Sequence, residues 1–137
     1  MSVISELIRS ESDGTISFGD YSLGEKKKLE DFNHEGDSFK VKTYAQITRL
    51  EKNGLFVYES VPGTSVEHLS IKADGVCFTV EGNEDAQITL ELEPDSSYDV
   101  TVAGNDAGQM TTNMSGKLSL SVELDPGNAI EVVVKKI

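Results

Sequence analysis

Beyond residue 64, apolar and polar residues alternate with a period of two in one segment after another. Val76, Phe78 and Val80 interleave with Cys77, Thr79 and Glu81, and Ile88, Leu90 and Leu92 with Thr89, Glu91 and Glu93. Tyr98, Val100 and Val102 follow, then Leu118, Leu120, Val122 and Leu124 against Ser119, Ser121 and Glu123, and last Ile130, Val132 and Val134. Successive side chains of a strand point to opposite faces, so each run predicts a strand with one buried and one wet face. Turn residues separate the runs: Asp74-Gly75, Gly82-Asn83, Pro94-Asp95, Gly104-Asn105, Ser115-Gly116 and Asp125-Pro126-Gly127. Short strands with regular turns predict an antiparallel sandwich.

The first 63 residues follow a less regular pattern. Val3, Ile4, Leu7 and Ile8 fall on one helical face with Ser2 placed to cap it, which predicts a short N-terminal helix. Ile16 with Phe18, and Phe39 with Val41 and Thr43, predict strands; Gly24 to Asn33 reads as a helical turn or a loop. Asn53-Gly54 between two apolar-rich runs predicts a hairpin. The competing reading is a helix capped by Thr43 and Gln46 and stopped at Gly54; the hairpin is preferred, because Leu55 to Val61 is a strand either way. Val61-Pro62-Gly63-Thr64 marks a boundary, since proline stops a central strand and glycine frees a turn. The expected fold is therefore mainly β: an antiparallel β-sandwich over 64–137, with a smaller N-terminal β-rich lobe, 1–63, carrying a short helix. The alternative is that both halves share one core.

Composition narrows the partners. The 24 acidic and 12 basic residues give a net charge of −12, spread along the chain. Such a field repels phosphate backbones and anionic membranes, so neither nucleic acid nor a membrane is an expected partner. Acidic sugars are disfavoured likewise, unless a local basic patch such as Lys26, Lys27 and Lys28 overrides the net charge. Cys77 is the only cysteine, and MSVISELIRSE has neither the basic nor the apolar region of a signal peptide, so the expected compartment is the cytoplasm.

Reactive motifs are weak. Asp13-Gly14-Thr15-Ile16 resembles the centre of a calcium-binding loop, but Arg9 would fall at the first ligand position and Asp20 at the last, where a bidentate glutamate belongs. An Asp-Gly turn entering a strand is the simpler reading. His34, His68 and Cys77 lack the paired spacing of a zinc site, and no cysteine-nucleophile signature frames Cys77 with His68. The abundance of acids removes any specificity from a carboxylate pair of the glycosidase type, and there is no tryptophan platform for a sugar ring. No Walker loop, G-x-G-x-x-G, H-E-x-x-H or C-x-x-C occurs. No cofactor, metal or catalytic residue is expected.

Taken together, GTISFGDYSLGEKKKLEDF, KVKTYAQITRLEKNG, FVYESVPGTSV, AQITLELEPDSSYDVTVAG and MSGKLSLSVEL resemble a group of short bacterial proteins labelled endosialidase-like. The resemblance implies a carbohydrate-active or carbohydrate-binding protein. It carries no mechanism to these residues: Ser12-Asp13-Gly14-Thr15 is more compact than a sialidase Asp-box, and Arg9 and Arg49 are too few to form the arginine cluster that grips a sialate carboxylate. The last half is also similar to the small β-sandwich domains that accompany polysaccharide-degrading enzymes, which implies fold more than function.

The leading functional expectation is a non-catalytic binding or assembly module, self-associating through exposed strand edges. A carbohydrate-binding or endosialidase-like protein is the alternative. By alternation Tyr21, Tyr44, Phe56 and Tyr58 are the aromatics most free to face outward, and Val133, on an otherwise polar face, points to a covered edge or a partner. The candidate surface comprises Tyr44, Arg49, Phe56, Tyr58, Glu59, Pro62 and His68.

Overall fold

The computed structural model describes residues 3–137. Thirteen strands run through them in chain order: β1 (Ile8–Ser10), β2 (Ile16–Phe18), β3 (Lys27–His34), β4 (Asp37–Tyr44), β5 (Ile47–Lys52), β6 (Leu55–Val61) and β7 (Ser65–Lys72). Then come β8 (Gly75–Glu81), β9 (Ala86–Glu91), β10 (Ser97–Val102), β11 (Asn105–Thr111), β12 (Lys117–Val122) and β13 (Ile130–Lys136). They form two antiparallel sheets packed as a sandwich, one ordered β1-β2-β7-β8-β13-β10-β11 and the other β12-β9-β6-β5-β4-β3.

The alternation read in the later strands holds. In β12, Leu118, Leu120 and Val122 are buried while Ser119 and Ser121 are exposed, and β8, β10 and β13 keep Val76, Phe78, Val80, Tyr98, Val100, Val132 and Val134 inward. Asn53 and Gly54 take φ of 52° and 81° between β5 and β6, as a two-residue hairpin turn requires. The hairpin therefore prevails over the capped helix, and Thr43 is a buried residue of β4. Residues 27–33, left open as a helical turn or loop, belong to β3.

No helix forms among the described residues. Leu7 stands at φ 72°, which no right-handed helix tolerates. The segment makes one turn, Leu7 N–H donating to Ile4 O at 2.9 Å, and bonds across to the end of β2: Ile4 N–H donates to Gly19 O at 3.0 Å and Gly19 N–H to Leu7 O at 3.0 Å. Ile4 and Ile8 are buried by that bend, so their helical spacing reflects an irregular chain folded over the sheet. Ser2, the expected cap, lies outside the described residues.

Two strands have little period-two signal. In β7 a register shift between Glu67 and Ser70, with His68 at φ 54°, breaks the alternation of Val66 and Leu69. In β11 only Met110 is a large apolar residue, and its pairing with β10 shifts between Val100 and Thr101.

Strands from both sides of Pro62 enter both sheets: β2 pairs with β7, and β6 with β9. One hydrophobic cluster holds Phe18, Val41, Leu50 and Tyr58 together with Phe78, Ile88, Val100 and Leu120. Tyr58 lies at its centre, edge-on to Phe18 at 5.3 Å and to Phe78 at 5.7 Å between ring centroids.

Candidate functional site

The outer face of the six-stranded sheet carries much of the surface that the sequence singles out. Register aligns Lys28, Lys42, Arg49, Glu59, Thr89 and Ser119 in one row across β3, β4, β5, β6, β9 and β12. Arg49 sits mid-row, its Nη1 donating to Glu59 Oε2 at 2.9 Å and its Nε to Glu51 Oε2 at 3.1 Å. Its guanidinium also lies over the Phe56 ring at 5.0 Å, while the Lys117 ammonium stands 4.8 Å from the same centroid and bonds Glu91. Phe56 is thus a half-buried ring held by two cations, an attraction of the ring quadrupole for positive charge. Lys28 and Lys42 have no ion-pair partner among the described residues.

Tyr58 corrects the expected surface, because it is fully buried. Phe56 and Tyr58 are two residues apart and by simple alternation would share a face. A register shift sets Glu51 opposite Phe56 but Leu50 opposite Tyr58, leaving Val57 as the extra residue; past this bulge the strand turns Tyr58 into the core. Tyr21 is likewise buried, its hydroxyl donating to Glu81 Oε2 at 2.5 Å. Burial pushes the hydroxyls of both tyrosines up, so both stay protonated.

Tyr44 ends β4 half-buried, its hydroxyl donating to Gln46 Oε1 at 2.9 Å. Pro62 is half-buried at the neighbouring junction, where Gly63 N–H donates to Ala45 O at 3.0 Å. His68 belongs to the other sheet. Its Nδ1 lies 3.1 Å from Asp13 Oδ2 and 3.1 Å from Thr15 Oγ1. His34 grips the same β1–β2 turn through Ser10 Oγ at 2.7 Å and Gly14 O at 3.1 Å. The structure therefore gathers Arg49, Phe56 and Glu59 on one face and Tyr44 with Pro62 at one corner, and leaves Tyr58 in the core and His68 apart.

The buried polar groups are structural. Thr64 Oγ1 meets Tyr58 Oη at 2.7 Å and Ser60 Oγ at 2.8 Å, while Thr48 Oγ1 donates to Thr64 O at 2.8 Å and contacts Thr43 Oγ1 at 2.8 Å. No buried side-chain nitrogen or oxygen among the described residues lacks a partner. Nor does any cluster there of three or more histidine, cysteine or acidic groups suit a metal. Arg9, the misfit in the calcium-loop reading, donates through Nε to Glu11 Oε2 at 3.0 Å, and Glu11 to Gly14 form the Asp-Gly turn. The Cys77 thiol faces Glu131 at 4.0 Å rather than His68, and burial pushes it up, the reverse of an activated nucleophile. A cleft of about 310 Å³ lies between the β1–β2 turn and β7, lined by Asp13, His34, Lys52 and Lys72 among others.

The sheet margins are a second candidate surface, and here the sequence was silent about position. Four strands are edges: β1, β3, β11 and β12. β1 has three residues. β3 opens with Lys27 and Lys28 and bulges at Asp31, with φ 58° and a register shift between Leu29 and Phe32. β11 is broken by the shift opposite Val100 and by Gly108 at φ 91°. Shortness, lysines and bulges are the devices that keep an edge from pairing. β12 opens with one lysine, Lys117, but carries no bulge: its register against β9 is unbroken and no residue of it has positive φ. Val133 marks no edge, since β13 is flanked by β8 and β10.

Comparison with protein-family models, with curated proteins and with solved structures finds no match.

Proposed function

We propose that this chain is a non-catalytic assembly module that joins copies of itself through an open sheet edge. The observation that carries the reading is β12, an edge strand without the bulge that interrupts the other long margins, β3 and β11. Supporting it, the buried polar groups are bonded to one another and the one thiol is held protonated beside a carboxylate, which leaves the sandwich as a platform. A net charge of −12 sets nucleic acid and anionic membranes aside as partners. Sedimentation velocity over a wide concentration range tests the reading. The sedimenting mass should rise with concentration above 14.9 kDa, and a monomer at every concentration overturns it.

A second reading, binding of an acidic carbohydrate, is favoured by one feature: Lys28 and Lys42 stand uncompensated beside Arg49 on an otherwise acidic protein. Against it, the Phe56 ring already holds Arg49 and Lys117, which compete with a sugar ring for it. A glycan array containing carboxylated and sulfated sugars decides it, with absence of binding removing the reading.

A further inference from the structure

We infer that two copies of the chain join β12 to β12 in antiparallel fashion about a two-fold axis through Leu120, merging their six-stranded sheets into one continuous sheet. This rests on the self-association proposed above and gives it a register.

The backbone decides which groups are available. Lys117 N–H donates to Asn113 Oδ1 at 2.9 Å, and Lys117 O accepts from Asn113 N–H at 3.1 Å, so both its groups point away from β9. Gly116 O, one residue earlier, accepts from Leu92 N–H at 2.7 Å, and Leu124 N–H donates to Asp85 Oδ1 at 3.1 Å, both on the β9 side. In an antiparallel strand alternate residues address alternate neighbours. Ser119 and Ser121 therefore aim their N–H and C=O groups at the free margin, as Lys117 does, but without an Asn113 to receive them. Their side chains do not obstruct that margin: Ser119 Oγ lies 3.1 Å from Thr89 Oγ1, and Ser121 Oγ donates to Gln87 Oε1 at 2.8 Å, both on the outer face.

The register centred on Leu120 pairs these two residues with each other. With the axis at Leu120, Ser119 faces Ser121 of the second copy and Ser121 faces its Ser119, each pair exchanging N–H···O bonds. Leu118 then lies opposite Val122 and Leu120 opposite itself, which joins the two buried faces. Lys117 comes opposite Glu123, a carboxylate with no ion-pair partner among the described residues. Both side chains lie on the outer face, so each Lys117, already bonded to Glu91, faces a second carboxylate across the axis. An axis at Ser119 would set Ser121 opposite Lys117, whose backbone groups Asn113 already holds, and would leave Ser119 alone to pair with itself. Beside this margin, in the loop that caps Lys117, stands Met114, 85% exposed, an uncovered apolar side chain within the same flank.

The test combines amide exchange with variants in the full chain. On concentrating the protein, the Ser119 and Ser121 amides should become protected while those of the β3 margin stay unchanged. Ser119→Pro removes a donor that β9 does not use, so it should leave a folded monomer. Glu123→Lys sets like charges opposite and should weaken association about tenfold; adding Lys117→Glu should restore it. If the wild type never associates, the proposed function falls and this inference with it. If it associates while Ser119→Pro still dimerises and the two amides still exchange freely, self-association stands and the β12 edge is overturned. If the edge is protected but the charge exchange does not rescue Glu123→Lys, the register at Leu120 is overturned.

Discussion

One hydroxyl, that of Thr64, serves two buried neighbours, Tyr58 Oη at 2.7 Å and Ser60 Oγ at 2.8 Å. Thr64→Val keeps the shape and strands both, and each unsatisfied buried group costs about 1–3 kcal/mol, so a loss of roughly 2–4 kcal/mol is expected in urea unfolding. Tyr58→Phe should cost about 1 kcal/mol alone and little more when added to Thr64→Val, because one end of the bond is then already gone. A full additive penalty would mean that the two hydroxyls do not depend on each other. Glu11 contributes to the acid response. Its Oε2 accepts from Ser17 Oγ at 2.5 Å and from Arg9 Nε at 3.0 Å, and chiefly the Ser17 bond holds its carboxyl below the ordinary 4.5. A lowered native value stabilises the fold above the unfolded value, and that contribution disappears as pH falls through the native one. The gap in urea midpoint between wild type and Glu11→Gln should thus be full near neutrality and close progressively below about pH 4.5. A gap that is constant with pH would assign the loss to shape alone.

Turns set the elements, and two glycines show different reasons for being there. A Cβ on Gly63 would come within 2.0 Å of Tyr44 O, so backbone must move; at Gly54, φ is +81° but nothing lies within 4 Å. Gly54→Ala should cost about 1 kcal/mol for the left-handed conformation alone. Gly63→Ala should cost roughly 2–3 kcal/mol as overpacking where β6 gives way to β7. Equal thermal midpoints for the two variants would contradict the close approach. The same contrast explains what could be read from the chain. Asn53-Gly54 carries its turn chemistry locally, and the alternation of β8, β10, β12 and β13 reports a buried face directly. A bulge leaves no such mark. Val57 reverses Tyr58 relative to Phe56, and His68 disrupts β7, because each shift is set by the partner strand. The N-terminal helix misled for a related reason: Ile4 and Leu7 bond to Gly19, just past the neighbouring strand, and Ile8 pairs with Phe18, partners that lie outside the segment. Of the candidate surface, Arg49 and Glu59 follow from alternation, whereas the open edge of β12 depends on sheet order. LSLSV reads the same whether one neighbour flanks it or two.

At the scale of the molecule, the charge that keeps copies apart opposes the edge that joins them. Six strands at about 4.8 Å put the centres of two coplanar sheets roughly 29 Å apart. Treated as point charges of −12 in water, the copies repel by about 8 kcal/mol at 0.01 M salt, where the Debye length is about 30 Å, and by about 1 kcal/mol at 0.1 M, where it is about 10 Å. The Lys117 and Glu123 pairs across the axis are exposed and contribute roughly 0.2–1 kcal/mol each, so their screening is the smaller effect. Association should therefore strengthen as salt is raised from 0.01 to about 0.1 M, against the usual direction for contacts held by ion pairs. Sedimentation equilibrium across that range checks it: a dimer that dissociates steadily with added salt would mean that attraction between opposite charges, rather than backbone pairing along Ser119 and Ser121, holds the copies together.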